Sequence, residues 1–130
     1  MHTHGSWQQP QLDPESGELS IVNCGHMPML LADGGGARYV GEGGLMLGVT
    51  RHEPHVESAV LPVGGTALLF TDGLVEDRTI LLDTNLEKLR VTAAAAAAGA
   101  DVEAFANHIM SVFGPSEDDV AMIAVRRTGA

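Results

Sequence analysis

The stretch Leu61-Pro-Val-Gly-Gly-Thr-Ala-Leu-Leu-Phe-Thr-Asp-Gly-Leu-Val-Glu76 decides how this chain is built. Pro62 and the two glycines turn the backbone into Thr66–Thr71, whose central residues are apolar without alternation. Alternation is needed only where one face of a strand meets water, so this run fits a strand covered on both faces. It stops abruptly at Asp72-Gly73. Val120–Val125 repeats the design in reverse, an unbroken apolar strand preceded by Glu117-Asp118-Asp119. Two buried strands, one ending and one beginning on an aspartate, put carboxylates at the rim of a sheet.

Upstream of that stretch the chain reads as short strands and tight turns. Residues 1–11 carry Gln, His and Pro without periodicity, and are expected to form an irregular segment. Leu12–Gly17 is a turn, with Pro14 presetting one dihedral and Gly17 tolerating a left-handed one. Strands are expected over Glu18–Cys24, Met27–Ala32 and Ala37–Val40, with Asp33-Gly-Gly-Gly36 turning the last pair, in the manner of a β-meander. Gly41–Gly48 reads as a loop, and His52–Leu61 as an exposed strand.

Downstream come two helices. Thr84 and Glu87 have capping-box spacing, Leu86, Leu89 and the alanines from Ala93 continue the helix, and Gly99 stops it. Asp101 caps a second helix with Val102, Phe105, Ala106, Ile109 and Phe113 on one face. Gly114-Pro115 ends it. The fold class expected is α+β, antiparallel strands packed by two helices.

Composition narrows the function. With 130 residues, 45% of them hydrophobic, the chain can bury one core and is not a disordered polymer. A net charge of -10 with only seven basic residues excludes a nucleic-acid binder, which needs clustered Lys and Arg. No apolar run approaches the roughly 18 residues that span a bilayer, and residues 1–6 lack the pattern of a signal peptide. One cysteine, Cys24, allows no internal disulfide, and a cytoplasmic location is the expectation. Cys24 reads as an apolar filler rather than a nucleophile. None of the six histidines has zinc spacing.

The aspartates carry the candidate chemistry. Carboxylates from adjacent strand ends, Asp72 and Asp118, could converge on one hard cation, and all-oxygen ligation selects magnesium or manganese over zinc. Asp72-Gly73 is equally an ordinary turn, and Asp118-Asp119 an ordinary polar start to a strand. Spacing alone leaves both readings open.

Four segments taken together resemble one family. Asn23-Cys-Gly-His-Met-Pro-Met-Leu-Leu31, Leu45-Met-Leu-Gly-Val49, the Thr71-Asp-Gly73 stretch and Asp118-Asp-Val-Ala-Met-Ile-Ala-Val125 occur in order. They are similar to motifs of the type-2C (PPM-type) metal-dependent serine/threonine protein phosphatases, in the bacterial branch of stage II sporulation protein E and the stress-response regulators. The resemblance covers residues 12–127, leaving 128–130 as a tail. It implies a hydrolase with Asp72 and Asp118 as metal ligands and two Mn2+ or Mg2+ ions activating a water that attacks phosphoserine or phosphothreonine. It further implies Asp119 hydrogen-bonded nearby, and Glu76 and His26 helping to hold a further cation, a water or the phosphate. The substrate implied is a regulatory phosphoprotein such as an anti-sigma-factor antagonist.

The family's earlier strands, one helix layer and further metal aspartates have no counterpart in residues 1–17. The expectation is therefore the C-terminal half of an α-β-β-α sandwich, with little activity alone and an exposed sheet able to form a homodimer. A non-catalytic interaction or dimerisation module that keeps the half-fold is the alternative.

Overall fold

A computed structural model describes residues 7–24, 27–41, 55–77, 79–97, 101–113 and 120–129. Seven strands, β1 (Trp7–Leu12), β2 (Glu18–Cys24), β3 (Met29–Asp33), β4 (Gly36–Val40), β5 (His55–Val60), β6 (Thr66–Phe70) and β7 (Met122–Arg126), form two antiparallel sheets. One sheet has the order β1-β2-β5 and the other β4-β3-β6-β7. Helices α1 (Leu82–Ala97) and α2 (Val102–Phe113) lie between β6 and β7 in the chain. This is the expected α+β class.

Side-chain alternation along β3 and β6 creates the layers. Leu30, Ala32, Leu68 and Phe70 point to one face and join Leu89, Ala93, Phe105 and Ile109 of the helices. Met29, Leu31 and Ala67 point to the other and join Leu19 and Ile21 of the three-stranded sheet. Leu30 and Leu68 are fully buried; each such side chain contributes about 1.5–3 kcal/mol of transfer free energy. The apolar run after Gly65 is therefore a central strand covered on both sides, as its composition predicts.

Several elements depart from the sequence reading. Residues 7–12 are not irregular: they pair along their length with β2. Their Gln- and Pro-rich composition carries no strand signal because an edge strand is held by its backbone, and Pro10 is tolerated there. The meander is broken, since β2 and β3 belong to different sheets. The helix expected to be capped by Thr84 begins at Leu82, because Leu82 and Leu86 pack against the core. Tertiary burial outweighs the local cap. β7 is not buried on both faces. Three strands face four, and Ile123 and Val125 of β7 remain 62% and 40% exposed.

The antiparallel order gives the sandwich two unlike ends. At one end lie the β1–β2, β3–β4 and β5–β6 turns. The first and last of these are stitched together by Arg127, whose guanidinium donates to the carbonyls of Leu61 at 3.0 Å, Pro14 at 3.4 Å and Glu15. The Glu15 N–H donates to the Asp13 carboxylate, and that bond holds the Asp13 pKa below its ordinary value. The ends of β2, β4 and β6 and the beginnings of β3, β5 and β7 share the opposite end. The connection bearing Asp72 and Glu76 leaves from it.

Gly17 is irreplaceable in the stitched turn. Its φ of 77° is left-handed, and a Cβ there would run into the Leu61 carbonyl and the Arg127 guanidinium. Gly17→Ala is expected to lose about 1–3 kcal/mol in urea unfolding. Gly34→Ala, where a Cβ meets nothing within 4 Å, should stay within about 0.5 kcal/mol of the parent.

Candidate metal centre

Asp72 sits where β6 leaves its sheet. Thr71–Leu74 tightens into a 3-10 turn over Asp72–Leu74, with Leu74 N–H bonded to Thr71 O at 3.0 Å and Glu76 N–H to Asp72 O at 2.8 Å. Leu74 and Val75 are buried and anchor the turn in the helix-side core. Gly73, also buried, leaves no side chain to compete for that space. The Asp72 carboxylate is exposed. Among the described residues no hydrogen bond or ion pair occupies it.

Asp72, Glu76 and Asp77 line a cavity of about 140 Å³ together with Met27, Ile80 and Leu82. Three carboxylates over an apolar floor favour a cation and repel an anion. Asp77 is partly committed: its Oδ1 accepts the Thr79 N–H and the Thr79 hydroxyl, each at 2.7 Å. Those bonds, the backbone one foremost, hold its pKa below the ordinary carboxylate value. Asp72 and Glu76 carry no such bond to a described residue. Among the described residues no group of three or more His, Cys, Asp or Glu converges tightly enough to hold an ion. Oxygen donors of the right kind for Mg2+ or Mn2+ are present, in a number short of a full coordination shell.

The β7 side of the site is fixed by an unusual exchange of bonds. Phe70 pairs with Met122 as the last partner of the β6–β7 ladder. One step further, Thr71 N–H donates to Ala121 O at 3.0 Å, and the Ala121 N–H donates to the Thr71 hydroxyl at 3.0 Å. The hydroxyl also lies 3.3 Å from Ala121 O. The chain just before β7 is therefore clamped beside the residue that precedes Asp72.

Of the residues singled out in the sequence, the structure brings Asp72 and Glu76 into one cavity. Asp118, Asp119 and His26 lie outside the described residues. Met27, the neighbour of His26 in the chain, lines the Asp72 cavity. Sequence reasoning missed Asp77, whose signal was the Asp-x-Thr spacing of a side-chain-capped turn. It also missed Asn85. Asn85 is buried within α1, and its amide donates to Val75 O at 2.7 Å, bolting the helix to the turn that carries Asp72. A polar residue among core-facing helical positions marks such a bond.

Comparison with known proteins gives one family and a set of folds. The stage II sporulation protein E (SpoIIE) family matches residues 10–128. The RsbU and RsbW domains of a Mycobacterium tuberculosis protein are 30% identical over 96% of this chain and 37% of theirs, with a TM-score of 0.77. The manganese-presoaked phosphatase domain of the Bacillus subtilis cell fate determinant SpoIIE has a TM-score of 0.74 at 18% identity, over 99% of this chain and 59% of that one. Another structure of the same domain gives 0.67 at 14% identity, over 99% and 61%. No curated protein sequence matches significantly. The chain spans about two fifths to three fifths of the solved chains it resembles, and its architecture is part of the type-2C phosphatase fold.

Removing the Asn85 amide strands the buried Val75 carbonyl. Asn85→Ala is expected to lower stability by about 1–3 kcal/mol. It should also speed amide exchange in the 72–76 turn, measured by hydrogen–deuterium exchange.

Proposed function

Because the chain belongs to the stage II sporulation protein E family, we propose that it carries the Asp72 side of the metal centre of a protein serine/threonine phosphatase. Asp72 and Asp118 are the carboxylate ligands of Mn2+ or Mg2+ in this reading, and a phosphorylated regulatory protein, such as an anti-sigma-factor antagonist, is the substrate. The supporting observation is the Thr71–Ala121 pairing, which ties the strand end bearing Asp72 to the chain three residues beyond Asp118. Three residues of chain reach at most about 11 Å.

Electrostatics favours the same conclusion. A phosphoserine dianion brought beside Asp72, Glu76 and Asp77 meets like charge, so the site binds such a group only with a cation between them. A bound Mn2+ or Mg2+ supplies that charge beside the phosphoryl oxygens and acidifies a coordinated water. The protein's part is to hold oxygen donors at fixed positions. Asp72 is suited to it, since the buried Leu74 and Val75 and the 3-10 turn fix its backbone. Glu76, on the same cavity, assists with a further cation. Asp119 and His26 keep the roles that the motif resemblance assigns them, hydrogen bonding beside the centre and orienting water or phosphate.

Asp72→Asn is expected to weaken Mn2+ binding by this chain, read by titration calorimetry, by at least about ten-fold. The gene product that carries this chain should hydrolyse a phosphoserine protein with Mn2+ or Mg2+, and the same substitution should reduce kcat/KM by at least about a hundred-fold. Absence of turnover with either cation refutes the enzymatic reading.

A second reading, an interaction or dimerisation module, draws on the uncovered sheet faces. Ile123 and Val125 stand open on β7, and Val56 and Val60 are 63% and 55% exposed on β5. Apolar side chains left open on a sheet favour association. It predicts a discrete dimer by light scattering that Ile123→Lys converts to monomer; a monomer in the parent chain excludes it.

A further inference from the structure

Thr71 does something that an ordinary residue at the end of a strand does not. In a regular antiparallel ladder the N–H of Ala121 would be received by a backbone carbonyl of β6. Here the Thr71 carbonyl is taken by Leu74 N–H at 3.0 Å, because the chain has already turned into the 3-10 turn. The Thr71 hydroxyl fills the place, accepting Ala121 N–H at 3.0 Å, while the Thr71 N–H reaches Ala121 O at 3.0 Å. One side chain lets β6 turn away at Asp72 and still keep its last bonds to the chain before β7. Without the hydroxyl, either the turn or that pairing loses a bond.

We propose that Thr71 is a positioning residue of the metal centre: its hydroxyl fixes the separation between the Asp72 turn and the segment that brings in Asp118. This rests on the reading of Asp72 and Asp118 as ligands to the same centre. The Thr71 hydroxyl does not itself contact the ion; it acts through the two chain segments it joins. The requirement is for a hydroxyl on a small side chain. Ser meets it; the isosteric Val, lacking an acceptor, does not.

The test uses this chain, Mn2+ alone as the probe, and the variants Thr71→Val, Thr71→Ser and Asp72→Asn. Thr71→Val should weaken Mn2+ affinity by about 10–100-fold, the range found when groups that orient metal ligands are removed. Thr71→Ser should stay within about three-fold of the parent. Hydrogen exchange at the Ala121 amide, measured without metal, should speed up at least ten-fold in Thr71→Val and not in Thr71→Ser. If circular dichroism shows Thr71→Val unfolded, Thr71→Ala against Thr71→Ser makes the same comparison. Mn2+ binding that needs Asp72 but is indifferent to the Thr71 hydroxyl overturns this inference alone, as does an unchanged Ala121 exchange rate. Mn2+ binding that is absent from the parent, or unaffected by Asp72→Asn, overturns the metal reading and this inference with it.

Discussion

A strand with apolar side chains on both faces is stable only between two covering layers, and β3 and β6 impose that condition on everything else. Leu30, Leu68 and Phe70 require the helices. Met29, Leu31 and Ala67 require the second sheet. Since both strands run between the same two ends of the sandwich, covering them also sorts the connections. Short glycine-bearing turns collect at one end, and the Asp72 turn lies at the other. The candidate site follows from where a doubly buried sheet runs out of chain to bury.

Much of this was legible in the sequence because it depends on local pattern. The uninterrupted Ala67–Phe70 run announced a central strand, and Asp101 announced the helix whose Ala104 N–H it caps at 2.7 Å. The family resemblance was carried by short words placed where the fold changes direction, at Asn23–Leu31 and Thr71–Gly73. Family membership and architecture agree with it.

What stayed hidden depends on partners far along the chain. β1 exists because β2 offers a ladder, not because Gln8, Gln9 or Pro10 favour a strand. α1 begins at Leu82 rather than after Thr84, since packing and the Asn85–Val75 bond reward three more helical residues. β7 resembles β6 in composition, yet only β6 has a neighbour opposite each face. Composition gives how apolar a strand is, and the count of strands in the facing sheet decides whether that apolarity is used. Asp72 and Glu76 were legible as site residues because their type and position suffice. Thr71 was visible only as part of a motif, and its bond to Ala121 belongs to the folded state.

Arg127 couples turns that lie far apart in the chain. Its guanidinium holds carbonyls of Pro14 and Glu15, made more than a hundred residues earlier, and of Leu61. During synthesis the first hairpin emerges from the ribosome long before the side chain that secures its turn. Until Arg127 has been made that turn stays loosely held, and the sheet edge it fastens stays open to other nascent chains. Closure of that turn is thus deferred until more than a hundred further residues have been made.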